Sequence, residues 1–255
     1  MRAAPLATLT HRPLPKPDAS IALLGATARA AVSASWYGRA HSELRVSQAF
    51  AYLARVLADF GLGAELGSIA ERAVSDEIRH AEICWRVACV YRGAEFPQPQ
   101  VPPLVVPSHA DVDADTERVL HVVGMSAIGE TLGSAFLEAS AAKATGQFVA
   151  AAFRELLTDE IDHARVGWAL LGSPRVTPTM RQQMAPHILP LIQHAIPPLR
   201  DTDIHEDLAA HGCLAPPTVI AVLLAATRDL LVPGFELVNI DVTQVAGWLR
   251  SLTLG

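Results

Sequence analysis

The chain has 255 residues, of which 51% are hydrophobic, 18% charged and only 5% aromatic. Such a composition builds a core rather than a disordered tail, and its Ala, Leu and Val content favours helices over a β-sandwich. A net charge of −6 without a Lys/Arg cluster argues against a nucleic-acid surface or a polybasic membrane anchor, and three cysteines make no disulfide framework.

These features set a cytoplasmic location as the expectation. No uninterrupted apolar run reaches the roughly 18 residues of a membrane span. The longest, 219–226, is soon followed by Arg228, Asp229 and Pro233. The short apolar run 21–28 follows Arg2, Arg12, Lys16 and several prolines, and reads as part of an extended arm rather than an export signal.

Residues 1–30 form this arm. From 31 to 61, Trp36, Val46, Phe50, Leu53 and Leu57 recur at helical spacing, and Gly61-Leu62-Gly63 stops the helix. A second helix is expected over 64–92, ending at Gly93. Five prolines between 94 and 113 mark an extended crossover. Asp115 or Thr116 caps a third helix that runs to 145, and a fourth follows Gly146 to 171. Two helical hairpins joined by one long connection give the topology of a four-helix bundle over 31–172. The proline-rich remainder, 173–255, is expected to hold short helices at 179–194, 217–231 and 241–252, as packing or lid material.

The second and fourth helices carry the same local sequence, 83 residues apart: Asp76-Glu77-Ile78-Arg79-His80-Ala81 and Asp159-Glu160-Ile161-Asp162-His163-Ala164. On a helix, residues i and i+3 point the same way, so each E-x-x-H presents a carboxylate and an imidazole together, a donor set for iron or manganese. Each hairpin also has a glutamate on its first helix, Glu43 and Glu130. At about 1.5 Å per residue, Glu43 and Glu77 lie about 27 and 21 Å from their turn, and Glu130 and Glu160 about 24 and 21 Å from theirs. Folded antiparallel, all four carboxylates and both imidazoles converge. Their neighbours are apolar, and burying four carboxylates without counter-charge is prohibitive. Two divalent metals would neutralise them. Asp76 and Asp159, each four residues before a histidine, are placed to accept that imidazole's N–H. Arg79 is a candidate partner for Asp159 across the bundle.

Glu43, Glu77-x-x-His80, Glu130 and Glu160-x-x-His163 resemble the ligand pattern of the ferritin-like di-iron carboxylate superfamily, over residues 31–172. The resemblance implies two iron ions, with manganese as the alternative. Glu77 and Glu160 would bridge them, Glu43 and His80 would serve one metal, and Glu130 and His163 the other. The departures narrow the choice. Cys84 stands where the radical-forming reductase subunit has tyrosine, and no C-x-x-C iron site of the rubrerythrin kind is present. An 80-residue tail is not a bacterioferritin feature. Small residues near the site, Ser47, Cys84, Ser134 and Gly167, are candidate pocket positions or tight helix contacts. Trp85 and Trp168 face elsewhere, as packing.

The implied activity is that of a di-iron oxidase or oxygenase. It would take O2, a small organic substrate and an external electron donor, in a monomer or small homo-oligomer. Iron handling as a ferroxidase or store, and peroxide detoxification, are the alternatives.

Overall fold

The computed structural model describes residues 13–100, 103–109, 111–197 and 204–253; the first 12 residues of the expected arm lie outside them. All regular secondary structure among the described residues is helical. A short α1 (Ala19–Leu23) precedes the long α2 (Ala26–Asp59), which begins before the expected residue 31. Phe60 and Gly61 end α2, Gly61 with a φ of 73° that suits only glycine without strain. A π-helical turn (Gly63–Gly67) then leads into α3 (Ser68–Arg92), closed by Gly93 at φ 73°.

The described residues of the crossover are without helix or strand up to Asp113. Asp113, not Asp115 or Thr116, caps the next helix. Its carboxylate accepts the N–H groups of both, because the cap must precede the first helical residue to reach the free donors of the first turn. The stretch then runs as α4 (Ala114–Val122), a π-helical turn (Val123–Ile128) and α5 (Gly129–Lys143). α6 (Gln147–Gly172) follows. Its first N–H groups, of Gln147 and Phe148, are capped from afar by Asp18, which ties the arm to the body.

Four helical stretches share a core of two apolar halves. One holds Val32, Trp36 and Ala40 of α2, Val87 and Tyr91 of α3, Leu137 of α5 and Phe153 of α6. The other holds Phe50, Leu53 and Leu57 of α2, Ala70 and Ala73 of α3, Leu120 and Ile128 before α5, and Val166 and Leu170 of α6. α2 and α6 pass from the first half to the second; α3 and α4–α5 pass the other way. Each fully buried Leu, Ile or Phe here contributes about 1.5–3 kcal/mol of apolar burial. Between the halves lies a polar layer.

The tail is α7 (Pro178–Ala195), a 3-10 turn (Glu206–His211), α8 (Pro216–Ala226), a π-helical turn (Thr227–Leu231), α9 (Val232–Leu237) and α10 (Thr243–Thr253). It is wall, not a detachable flap: Met184, Ile188, Ile192, Leu231 and Phe235 are fully buried in the second half of the core. Trp36 Nε1 donates to the His211 carbonyl at 3.1 Å, and Tyr91 hydroxyl meets His211 Nδ1 at 2.8 Å.

Two stretches are long and apolar enough to cross a membrane by length and composition alone, Ala114–Lys143 and Pro216–Leu237. Neither is an uninterrupted apolar run in the sequence, where Arg228 and Pro233 break the second; the helix takes Arg228 into its π turn and Pro233 into the first turn of α9, where proline's missing N–H is tolerated. The first is part of the core just described.

Candidate metal centre

The polar layer is built by four helical stretches, and each contributes at the level where its apolar stripe is interrupted. α2 supplies Glu43, α3 Glu77 and His80, α5 Glu130, and α6 Glu160 and His163. Ligand-capable atoms of Glu77, Glu130, Glu160 and His163 all lie within 4.8 Å of one another; those of Glu43, Glu77 and His80 form a second such group. His80 is fully buried, and Glu77 and His163 nearly so. Glu43 is half-buried because its side chain borders a cavity.

Glu77 and Glu160 each reach both imidazoles. Glu77 Oε1 is 2.8 Å from His163 Nδ1 and its Oε2 is 3.7 Å from His80 Nδ1. Glu160 Oε1 is 3.4 Å from His80 Nδ1 and its Oε2 is 3.8 Å from His163 Nδ1. The short Glu77–His163 approach is off the hydrogen-bond direction, so both Glu77 oxygens and both Nδ1 atoms are buried without a hydrogen-bond partner. Orphaned donors and acceptors of this kind are costly unless something binds among them. A cation fits: the atoms converge, and carboxylate plus imidazole suits iron, manganese or zinc.

The outer nitrogens turn to the aspartates, but crosswise. His80 Nε2 meets Asp159 at 3.3 Å, and His163 Nε2 faces Asp76 at 3.6 Å. The expected pairing within one helix does not occur. The approaches that the structure makes run between α3 and α6 instead, from His80 to Asp159 and from His163 to Asp76. Arg79 donates to Asp159, and its other nitrogen lies 3.6 Å from Glu155.

Without a cation, protons fill the gap. Burial pushes Glu43 and Glu130 well above the usual carboxylate range, helped in both cases by the charge of Glu77. Burial and Glu77 likewise raise Glu160 to about 7. Burial also opposes charge on Glu77, His80 and His163, but their mutual contacts win, holding Glu77 at about 2 and the imidazoles at about 10 and about 11; Asp159 and Asp76 add to the rise of each histidine. The layer is therefore a set of sites where cations and protons compete.

The π-helical turn before α5 brings Ser126 against α6. Its hydroxyl donates to the His163 carbonyl at 2.6 Å and accepts from the Gly167 N–H at 2.9 Å, between two groups that a plain helix would join. A Cβ on Gly167 would stand 2.4 Å from the Ala127 backbone nitrogen, so this glycine serves close helix approach. π turns of this type recur beside functional sites, and nothing in the residue types of 123–128 announces one.

A cavity of about 710 Å³ opens on Glu43, Glu130 and Glu160, walled by Gly129, Gly133 and Phe136 and by His194, Val219 and Leu223 of the tail. None of Ser47, Cys84, Ser134 and Gly167 lines it. Ser47 hydroxyl is turned back to the Leu44 carbonyl, Cys84 is fully buried in the core, Ser134 belongs to α5 off this wall, and Gly167 faces Ala127. Trp85 and Trp168 are packing residues, with Nε1 donated to the Phe96 carbonyl and to Thr131. His121 ties α4 to α2 through Tyr52 and to the crossover through the Pro107 carbonyl. Two further residues line this cavity: Arg39, one turn before Glu43 on α2 and so legible from its spacing, and His194, a tail histidine whose residue type allows a lid contact but whose place only the fold sets.

No protein-family model, no curated protein and no solved structure matches this chain.

Proposed function

We propose that the chain is a ferritin-like four-helix bundle enzyme, a di-iron carboxylate oxidase or oxygenase acting on a small organic substrate with O2. The observation that carries this reading is the convergence of four carboxylates and two imidazoles, with both Glu77 oxygens and both imidazole Nδ1 atoms unpartnered, beside a cavity of about 710 Å³ that Glu43, Glu130 and Glu160 line.

Glu77 and Glu160 would bridge two metals, since each offers one oxygen toward each imidazole. Glu43 with His80, and Glu130 with His163, would complete the two sides. Asp159 holds the tautomer of His80 by accepting a hydrogen bond from its Nε2–H, and Asp76, 3.6 Å from His163 Nε2, would do the same for His163 on a small approach; each would leave Nδ1 free to offer its lone pair. When bound, two ferrous ions supply electrons for O2 reduction, and an external donor restores them. The apolar walls exclude water from the carboxylate face, which keeps a bound organic molecule and O2 together. A cavity of this size suits a small molecule, and this favours organic oxidation over iron storage.

The test is anaerobic reconstitution with Fe(II), metal analysis, then O2 exposure with and without excess Fe(II). About two irons per chain are expected. Zero or one iron per chain sinks the di-metal reading. Continued uptake of many Fe(II) per chain into mineral, in a closed shell, replaces it with storage.

A further inference from the structure

The cavity beside the carboxylates has one feature that the metal centre does not use. Arg39 stands in its wall and also in the wall of a second cavity of about 300 Å³; the two share Phe136, Pro197 and Val219. Its guanidinium carbon lies 4.3 Å from the Trp36 ring centre, 5.1 Å from that of Phe136 and 5.2 Å from that of Phe153. One terminal nitrogen donates to the Gly212 carbonyl at 3.3 Å. The other, Nη1, is buried without an acceptor. Among the described residues no carboxylate pairs with Arg39. Glu43, one turn along the same helix, is the obvious candidate at i+4, yet the aromatic rings and Gly212 hold the guanidinium away from it. Gly212 is at φ 80° and has Phe153 and Trp36 so close that a Cβ would meet both within 3 Å, which fixes this carbonyl against the stack.

A cation held rigid by three rings, with one donor left over, at the edge of a largely apolar chamber, has one simple complement. We infer that the chamber takes an apolar carboxylic acid, whose carboxylate sits on Arg39 and whose first carbons lie beside Glu43, Glu130 and Glu160. The inference rests on the proposed oxidase reading for the purpose of the site, but not for the binding itself. A single guanidinium matches a monoanion. A phosphate ester would ask for a second cation, and the other arginine on this wall, Arg45, is solvent-exposed and turned to Ser42. A hydrogen bond from a guanidinium N–H to a carboxylate is charge-assisted and about twice as strong as a neutral one. Four residues on a helix span about 6 Å, so an acid anchored at Arg39 reaches the level of Glu43 with its first few carbons.

The experiment is calorimetric titration of the full-length, metal-loaded protein with 4-phenylbutyrate, with 4-phenylbutanol and with phenyl phosphate, metal content being assayed on the same samples. The acid is expected to bind about ten- to a hundredfold more tightly than the alcohol, the range of a charge-assisted hydrogen bond. Arg39→Gln should erase that difference while both metals and the helical content are retained. Arg39→Lys, which keeps the charge and the ring contacts but not the planar fork, should keep part of it and covers the case in which the glutamine variant does not fold. Val219→Trp, which fills the chamber, should abolish binding of acid and alcohol alike.

Equal binding of acid and alcohol in a protein that holds its metals overturns the inference and leaves the oxidase reading standing. So does an acid preference that survives Arg39→Gln, since the carboxylate then sits elsewhere. Tighter binding of phenyl phosphate overturns the carboxylate class. Failure to hold metal, with the Arg39-dependent preference intact, strikes the oxidase reading alone.

Discussion

The two E-x-x-H helices carry nearly the same hexapeptide, and the two halves of the centre are nonetheless unequal. His80 is hydrogen-bonded to an aspartate that Arg79 holds in place; His163 faces an aspartate 3.6 Å away that has only a 3.7 Å approach to the same arginine. His163 is steadied instead from its own backbone, where Ser126 engages its carbonyl, and from Phe50, whose ring centre is 5.1 Å from the imidazole. Glu43 opens on the cavity through half-exposure, while Glu130 is buried. A repeated motif thus specifies which donors meet, but not how firmly each is held. That comes from residues that are not repeated: Arg79 matches Asp162, and Cys84 matches Gly167.

The shared element should matter most. Glu77→Ala is expected to lose both metals by elemental analysis, since one carboxylate serves both halves; retention of one metal would make the halves independent. Next is pH. Metal binding would displace protons held on His80, His163 and the raised carboxylates, so the metal-bound state would carry fewer protons and acid would favour the metal-free one. Affinity should fall by at least about tenfold per pH unit on going from about pH 8 to about pH 6. A flat profile over this range, measured by competition with a chelator of known proton affinity, would show that these groups are not protonated in the free protein.

The aspartates test the inequality itself. Asp159→Asn should weaken metal retention by about ten- to a hundredfold, and Asp76→Asn by less. Double variants settle the crosswise pairing: Asp159→Asn should be non-additive with His80→Ala and additive with His163→Ala. The reverse pattern would restore pairing within each helix. The smallest effect is expected at the matched positions after the histidines. Gly167→Ala forces a methyl against the Ala127 backbone and should cost about 1–3 kcal/mol in denaturant unfolding. Cys84→Ala removes one buried sulfur and should cost about 1 kcal/mol. Equal costs would mean that the close approach of Ala127 relaxes freely.

The repeat, the spacing of each glutamate from its hairpin turn and the apolar neighbours were enough to name the six converging side chains, because α-helical rise and periodicity are fixed by backbone geometry and carry over from residue numbers to ångströms. Gly61 and Gly93 marked helix ends by the left-handed conformation that glycine accepts, and Gly146 marked the start of α6, where it stands as the N-cap. The helix cap at Asp113 was missed by two residues, since several polar residues compete for one cap and only hydrogen-bond geometry chooses. What the tertiary structure alone decided is everything that passes between helices. Asp159 serves His80 on the facing helix rather than the histidine of its own helix. Ser126 reaches His163 only through a π turn. Asp18 caps a helix that starts 129 residues downstream. His194 and Val219 meet Glu43 across a cavity, and Arg39 is kept from Glu43 by rings drawn from α2, α5 and α6. None of these contacts has a period or a spacing, because each depends on how rigid helices pack, and packing is set by the summed shape of side chains far apart in the chain.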